Sequence, residues 1–267
     1  MSRIFRPCIV DLEITNLCNT ICAFCPRDKI TRPQGIMSFS TLNKIINNFK
    51  KYPPYIINLS GMGECLLHPK LETFIKKLKQ GLPAVVGLTT NGLMLTKSRI
   101  KYLLKAPLDF ITISYNGNKQ VLVNIKTMLQ LRKKPHPLIH VSTINDQSRN
   151  NIRSYWHKIG VDGLILQPLH NRGGYLTKQT PQRTFASPCQ IFNNSLFITW
   201  EGIALSCCHD LKGNNILGNL ITNKLDKILK FKNNYAKKTN PFAICQKCND
   251  ALRGQYFSHQ RFISCKK

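Results

Sequence analysis

The sequence predicts an α/β fold in which six parallel strands and their helices form a partial (β/α)6 barrel of the TIM type, followed by a small cysteine-rich domain. Six short, nearly continuous apolar runs alternate with helical patterns in the first two thirds of the chain, and strands buried on both faces of a parallel sheet have this pattern. A complete eight-unit barrel usually needs about 250 residues. Six units within residues 9–167 therefore predict an incomplete barrel.

The predicted strands follow one another at similar spacing, at Ile9–Ile14, Tyr55–Leu59, Ala84–Leu88, Phe110–Ser114, Leu138–Ile144 and Gly163–Gln167. The segments between them carry apolar residues at i, i+3, i+4 and i+7, which is the pattern of a helix with one buried face. Two sets are clear, namely Leu42, Ile45, Ile46 and Phe49, and Leu71, Phe74, Ile75 and Leu78. In such barrels, the chemistry lies at the carboxyl ends of the strands.

The pattern changes at about Phe185, and we predict a core domain over residues 1–184 and a second domain over 185–267. Leu196–Thr199 and Ile203–Ser206 flank Trp200-Glu201-Gly202, as the strands of a hairpin would. A helix is predicted from Thr222 to about Lys237. Six of the eleven cysteines lie in this last part. A core this small would need support from metal.

The charge balance is unusual, with 39 Lys and Arg against 12 Asp and Glu and a net charge of +27. Such a charge suits an acidic substrate or partner, such as nucleic acid, an acidic peptide, a phosphorylated metabolite or an anionic membrane surface. The basic residues are scattered, however, and no stretch interleaves them with aromatic residues as nucleic-acid platforms do. We therefore expect solvated basic faces and no nucleic-acid partner. No apolar run approaches the ~20 residues of a transmembrane helix.

Three cysteines follow the first predicted strand with the spacing C-x3-C-x2-C, at Cys18, Cys22 and Cys25. Three thiolates on one loop can hold three irons of a cubane cluster and leave the fourth iron without a protein ligand. An iron with an open position can bind and activate a substrate. Structural zinc is the alternative, but zinc takes four ligands and the next cysteine is Cys65.

Disulfides are a less suitable explanation for the cysteines. Eleven is an odd number, and the segment Met1–Pro7 lacks the apolar core of a signal peptide. Because disulfides persist in oxidising compartments, we expect a cytoplasmic protein whose cysteines bind metal.

The spacing and position of the three cysteines resemble those of the radical S-adenosylmethionine (radical SAM) superfamily. The resemblance implies that Cys18, Cys22 and Cys25 hold a [4Fe–4S] cluster and that the methionine end of SAM chelates its unique iron. An electron from the cluster then cleaves SAM to a 5′-deoxyadenosyl radical, and reduced flavodoxin or a ferredoxin-type protein would supply that electron. Phe24 matches the aromatic residue that lies along the adenine in this family.

The segment Ser60–Pro69 resembles the family's Gly-Gly-Glu-Pro motif. The resemblance implies that Gly63 lets the backbone approach the SAM amino group and that Glu64 accepts a hydrogen bond from it. Met62 and Cys65 depart from the motif, standing where the first Gly and the Pro are usual.

Two further turns follow predicted strands in the family's order. Thr90-Asn91-Gly92 resembles its Thr-Asn-Gly turn, and Ser114-Tyr115-Asn116-Gly117 resembles its Ser-x-Asp-Gly turn. The resemblance implies that Asn91 and Ser114 contact SAM. Asn116 replaces the usual acid, which weakens the likeness of the second turn.

The C-terminal cysteines resemble the SPASM/Twitch extension of radical SAM enzymes. Gly202 and Cys207 follow Cys189 at the family's spacing, and Cys245 and Cys248 form a CxxC pair. The resemblance implies that these four cysteines fully ligate one auxiliary [4Fe–4S] cluster; a zinc ribbon that uses the same four is the alternative. The side chain of the adjacent Cys208 should point elsewhere, and Cys265 is the substitute ligand.

Together, these observations predict a radical SAM oxidoreductase that removes hydrogen from a peptide or from a small polyol or aminocyclitol. A two-electron oxidation assisted by the auxiliary cluster is favoured. One alternative is an epimerase in which a thiol, such as Cys65 or Cys208, donates hydrogen to the substrate radical. Another is a non-enzymatic zinc protein that binds nucleic acid. Cys8 has no assigned role, and Cys265 has none beyond that of a substitute ligand.

Overall fold

A computed structural model describes residues 7–144, 151–176 and 188–250, together with the backbone of a short strand at 262–264. The strands of these segments join in one ten-stranded sheet with the order β10-β6-β5-β4-β3-β2-β1-β7-β8-β9. In the described part of the chain, no helix is both long and apolar enough to cross a bilayer.

Six parallel strands form the core of the sheet in the order in which they occur along the chain, each hydrogen-bonded to the next. Their bounds are β1 Ile9–Leu12, β2 Ile56–Leu59, β3 Val85–Thr90, β4 Phe110–Ser114, β5 Leu138–Ile144 and β6 Gly163–Gln167. The sheet is open rather than closed, because β6 pairs on its far side with β10 (Phe262–Ser264) and β1 pairs with β7 (Ser195–Ile198). The predicted partial α/β barrel is confirmed.

The last strands extend the sheet beyond β1. Strand β7 runs parallel to β1, with Val10 opposite Leu196, and then pairs antiparallel with β8 (Ile203–Leu205). Strand β9 (Ile216–Asn219) completes this edge. The predicted hairpin is therefore present, and it continues the barrel sheet without a break. The division into domains at residue 184 lies outside the described residues and stays a prediction.

The helices cover the outer face of the sheet. Their bounds are α1 Phe39–Phe49, α2 Leu71–Gly81, α3 Lys97–Leu103, α4 Lys119–Leu131, α5 Ile152–Ile159, α6 Gln190–Asn194, α7 Leu225–Asn233 and α8 Ala243–Lys247. The apolar stripes predicted for α1 and α2 are fully buried. Burial of such side chains contributes about 1.5–3 kcal/mol each, which is why the stripes fix the orientation of the helices.

Several strands differ from their predicted bounds by one or two residues, and one helix differs by more. Strand β2 begins at Ile56 instead of Tyr55, and β3 is Val85–Thr90 instead of Ala84–Leu88. Strands β7 and β8 are Ser195–Ile198 and Ile203–Leu205 instead of Leu196–Thr199 and Ile203–Ser206. Strand β1 ends at Leu12 instead of Ile14, and the next side chain, Glu13, is buried in an ion pair with Arg32 at 2.8 Å. Helix α7 is shorter than predicted at both ends. Its first turn is fixed by Asn48 of α1, whose Oδ1 accepts a hydrogen bond from the Leu225 amide at 2.8 Å.

Candidate functional site

The loop after β1 places the three N-terminal cysteines at the carboxyl edge of the sheet. Cys18, Cys22 and Cys25 are half-buried free thiols. Burial raises the pKa of Cys25, and the neighbouring thiols Cys22 and Cys18 act in the same direction. The three thiols thus share one short loop at this edge, as ligands of one cluster would.

Two residues hold this loop against the rest of the barrel. A Cβ at Gly63 would lie 2.4 Å from the carbonyl oxygens of Thr15 and Leu17, so only glycine fits beneath the loop. The guanidinium of Arg27 donates to the carbonyls of Asn16 and Met62, the latter at 3.1 Å. In this structure, Gly63 serves the packing of the cysteine loop; its predicted contact with SAM stays a prediction.

Glu64 lies at the centre of a buried hydrogen-bond network. Its Oε1 accepts from the Thr90 hydroxyl at 2.7 Å and from the Leu66 amide at 3.0 Å, and its Oε2 accepts from the Asn91 amide at 2.7 Å. Burial raises the pKa of this carboxyl, and these hydrogen bonds oppose the shift. The Cys65 sulfur lies 3.8 Å from the same Oε1. A carboxylate oxygen can accept about two hydrogen bonds, and Oε2 accepts one among the described residues, so Oε2 has room for one more donor.

The other predicted SAM contacts lie around the same edge. Asn91 donates through Nδ2 to Asn19 Oδ1 at 2.8 Å, which ties the turn after β3 to the cysteine loop. Phe24 is half-buried between Cys22 and Cys25, and Ser114 is half-buried at the last position of β4. The structure thus brings Phe24, Gly63, Glu64 and Asn91 to the cysteine loop, while Ser114 ends a more distant strand.

The inner face of the barrel is polar near β1 to β3. Val10 and Leu12 belong to the hydrophobic core, so the alternation of a strand turns Asp11 to the opposite face. The carboxylate of Asp11 accepts from Asn58 Nδ2 at 3.1 Å, and Asn58 Oδ1 accepts from the Thr89 hydroxyl at 3.2 Å. Burial raises the pKa of Asp11 to about 6, against the opposing hydrogen bond from Asn58. No motif in the sequence indicated this hydrogen-bonded chain.

A second group of cysteines surrounds one cavity beside the C-terminal strands. Cys189, Cys207, Cys245 and Cys248, the four predicted auxiliary ligands, all line it. The rest of its wall is mostly apolar and is formed by Ile191, Phe192, Phe242 and Ile244 with Ser206 and His209. Four convergent thiols in an apolar cavity are a donor set suited to a fully ligated iron–sulfur cluster.

The cysteines without an assigned role lie in different surroundings. The Cys65 thiol is buried, points at the Thr89 carbonyl oxygen at 3.2 Å, and has a pKa raised well above its ordinary value by burial. Cys8 precedes β1, and its backbone pairs with Asn194. Cys208 is not part of the cavity wall, although its sulfur lies 4.0 Å from His209 Nδ1. Cys265 lies outside the described residues.

A loop after β6 joins the two groups of cysteines, and the sequence analysis missed it. Asn171 donates from its backbone amide to Asn249 Oδ1 at 2.7 Å and from Nδ2 to the Lys247 carbonyl at 2.7 Å, so the loop is bound to the CxxC segment. The positive charge of the next residue, Arg172, opposes the rise in pKa of Cys25. The Gly173-Gly174 pair in the loop after β6 was the signal available in the sequence.

Two buried histidines and a carboxylate lie behind this loop. His209 Nε2 is 3.0 Å from Asp250 Oδ2, and His170 Nε2 is 3.9 Å from the same oxygen. Burial lowers the pKa of His209, but Cys207 and Asp250 outweigh it and the net shift is upward. This hydrogen-bonded group therefore holds residues that lie close in sequence to Cys207 and Cys248. No spacing pattern in the sequence indicated it.

The two donor sets fit iron–sulfur chemistry in different ways. Three thiols on one loop beside a carboxylate with an unused acceptor position fit a cluster with an open iron and a ligand that carries an amino group. Four thiols around an apolar cavity fit a cluster that is closed to ligands. The segments that carry the two sets flank strands of one continuous sheet, and the loop after β6 is hydrogen-bonded to the CxxC segment.

Comparison with family models gives two matches. Residues 12–138 match the model of the radical SAM superfamily, and residues 189–249 match that of the SPASM iron–sulfur cluster-binding domain. The first match spans β1 to the start of β5 and includes the three N-terminal cysteines, Glu64 and Asn91. The second begins at Cys189 and includes the other three predicted auxiliary ligands.

Individual relatives cover the chain to different extents. The tungsten-containing aldehyde ferredoxin oxidoreductase cofactor-modifying protein of Pyrococcus furiosus is 31% identical over 104 residues, which is 39% of this chain and 29% of that protein. The chain thus matches less than a third of this relative's length. BtrN in complex with AdoMet and 2-DOIA has a TM-score of 0.73 at 19% identity, covering 98% of this chain and 100% of BtrN. Streptococcus suis SuiB bound to precursor peptide SuiA has a TM-score of 0.67 at 12% identity, covering 95% of this chain and 67% of SuiB. At these identities, the two structures are similar to this chain in fold.

Proposed function

Because the chain belongs to the radical SAM superfamily and carries a C-terminal SPASM iron–sulfur domain, we propose that it catalyses the two-electron oxidation of a small polar substrate. The observation that carries the proposal is the pairing of a three-thiol loop with a separate four-thiol cavity in one sheet. When bound, the two clusters and SAM supply a 5′-deoxyadenosyl radical and an acceptor for one electron.

The chain's own residues would bind and orient these groups. Cys18, Cys22 and Cys25 would ligate the first cluster, and the unused acceptor position of Glu64 would orient SAM through its amino group. Cys189, Cys207, Cys245 and Cys248 would ligate the auxiliary cluster. Nearby side chains fix these groups in place, as the residues around metal ligands generally do. Reduced flavodoxin or a ferredoxin-type protein is the proposed electron donor.

A small hydroxylated or amine-bearing substrate fits the barrel interior. The chain of Asp11, Asn58 and Thr89 gives the inner face a carboxylate, an amide and a hydroxyl. BtrN, whose whole chain superposes on this one, binds 2-DOIA, whereas this chain covers only part of the peptide-bound SuiB. These features favour a small molecule over a peptide. Asp11 would accept a hydrogen bond from a hydroxyl or ammonium group of the substrate.

The first test is an anaerobic preparation with iron and sulfide counts and an assay of 5′-deoxyadenosine formed from SAM and dithionite. The wild type should hold about eight irons, the content of two [4Fe–4S] clusters. Cys22→Ala should keep about four and form no 5′-deoxyadenosine, because three-cysteine ligation leaves no spare ligand. The matched control Cys8→Ala should behave as the wild type. A colourless zinc protein would contradict the proposal and favour the zinc alternative.

The second test concerns the substrate, with 2-DOIA and related aminocyclitols as probes. Asp11→Asn should raise KM for an amine-bearing substrate about tenfold or more, since a lost ion pair of about 1.4 kcal/mol has that effect. The matched control is Asp226→Asn, which removes the negative charge from the ion pair between Asp226 and Lys51. Because the pKa of Asp11 is about 6, the wild-type KM should rise as pH falls below 6. A KM independent of both changes would contradict this role of Asp11.

Epimerisation is the alternative that a thiol near the substrate would favour. Cys65 is buried, and its thiol is directed at the Thr89 carbonyl, which suits a packing role. Deuterium from solvent at the reacting carbon of the product, with no net oxidation, would support the epimerase instead.

A further inference from the structure

A lysine side chain is buried behind the cavity of the C-terminal cysteines. Lys232, in the last turn of α7, is 1% exposed. Its Nζ donates to the carbonyl oxygens of Phe192 and Ser195, the latter at 2.8 Å. The same atom lies 4.0 Å from the centre of the Phe192 ring. A buried ammonium is costly unless an anion compensates it, so this arrangement needs an explanation.

The ammonium lies beside the cavity of the C-terminal cysteines, because Phe192 contacts it and also lines that cavity. Burial lowers the pKa of Lys232 to about 7, and Cys207 and Cys189 act in the opposite direction. Both cysteines line the cavity, as does Phe192, whose carbonyl and ring hold the ammonium. Lys232 thus lies behind the wall of the cavity that the four predicted cluster ligands line.

We propose that the Lys232 ammonium is the buried counter-charge of the auxiliary cluster and favours its reduced form. The inference rests on the proposed function, because it requires a cluster in this cavity. A core of about +2 held by four thiolates has a net charge of −2, and one-electron reduction makes it −3. A fixed positive charge in a medium of low dielectric constant stabilises the more negative state, so it raises the reduction potential.

This placement has a consequence for the reaction. In the proposed oxidation, the auxiliary cluster would accept one electron from the substrate radical, and the proton lost with that electron would pass to solvent. A higher potential makes that transfer more favourable. Lys232 is a positioning residue in this account, because it acts through the cluster and does not touch the substrate.

The test is an anaerobic redox titration of the complete holoenzyme, followed by electron paramagnetic resonance. The signal that changes when SAM is added belongs to the first cluster, and the other belongs to the auxiliary cluster. Lys232→Met and Lys232→Gln remove the charge, and the Gln amide keeps donors for the carbonyls of Phe192 and Ser195. In both, the auxiliary oxidised-to-reduced ratio at a fixed potential should rise at least tenfold, which is 59 mV for one electron.

Two controls make the result specific to the buried charge. Lys230→Met, on the exposed face of the same helix, should leave both potentials unchanged. Lys232→Arg should keep the auxiliary potential within the range of the wild type. The potential of the first cluster should be the same in every variant.

The outcomes separate this inference from the proposed function. A count of about four irons in the wild type would show that the auxiliary cluster is absent. That result would contradict both the proposed function and the inference on Lys232. Eight irons with unchanged potentials in the neutral variants would overturn only the inference on Lys232. If both neutral variants lose the auxiliary cluster and Lys232→Arg keeps it, the positive charge at residue 232 acts as a counter-charge that the cluster needs in order to bind. If Lys232→Arg loses the auxiliary cluster to the same extent, the counter-charge is contradicted, and Lys232 has a role in packing.

Discussion

At the scale of single residues, Glu64 connects the cysteine loop to the cofactor edge of the barrel. Its backbone amide donates to the Leu17 carbonyl at 2.8 Å, and its carboxylate holds the Thr90 hydroxyl and the Asn91 amide. Asn91 in turn reaches Asn19, which follows Cys18. Glu64 therefore shapes the loop, in addition to its proposed contact with SAM. The sequence indicated only the second role.

We predict that Glu64→Gln weakens SAM binding about tenfold to a hundredfold while the iron count stays at the wild-type value. Hydrogen bonds to a charged acceptor are worth about 1.5–3 kcal/mol, which corresponds to that range. The amide NH2 of Gln would also face a donor, either the Asn91 N–H or the SAM ammonium. Calorimetric titration with SAM measures the change in affinity. The control is Glu72→Gln, on α2, whose carboxylate forms an ion pair with Arg99. Unchanged affinity would show that Glu64 has no contact with SAM.

At the scale of elements, the loop after β6 is the link between the two groups of cysteines. Asn171 binds the backbone of Lys247, and the Asn249 amide donates back to Asn171 Oδ1 at 3.2 Å. This pairing closes a ring of hydrogen bonds across almost 80 residues of sequence. The CxxC segment thus depends on a barrel loop for its position.

We predict that Asn171→Ala lowers the iron content from about eight towards about four. The reason is that Cys245 and Cys248 lose the polar contacts that hold them at the cavity. Formation of 5′-deoxyadenosine should persist, since the first cluster does not use this pairing. Iron and sulfide analysis with the exposed Asn214→Ala as control measures the effect. Full iron content in Asn171→Ala would contradict the dependence.

The elements show how far the sequence alone predicts this fold. Strands such as β4, Phe110–Ser114, were predicted to the residue because a run buried on both faces is nearly all apolar. Helix α7 was predicted too long, since the cap that starts it is Asn48 of a distant helix. A rule that examines neighbours in sequence cannot include such a cap. The same limit hid Arg172 and Lys232, whose relevance depends on cysteines far away along the chain.

At the scale of the whole molecule, the distribution of the positive charge follows from the small number of acidic residues. Many of the few acids are already engaged with basic side chains, as in Lys79–Asp109 at 2.8 Å, Arg99–Glu72 at 3.2 Å and the buried Arg32–Glu13 pair. The surplus of Lys and Arg therefore remains at the surface. A surface of this kind favours encounter with an acidic protein, which agrees with the proposed electron donor.

The central position of β1 has a consequence for how the protein is made. Strand β1 lies between β2 and β7, yet β7 begins at Ser195, more than 180 residues later in the chain. On the ribosome, one edge of β1 therefore stays unpaired until most of the polypeptide has been synthesised, and pairings this distant form slowly. The cysteine loop that follows β1 emerges early but is completed late. Iron delivered before β7 has joined the sheet would meet thiols whose scaffold is still open, so we expect cluster insertion to follow the pairing of β7 with β1.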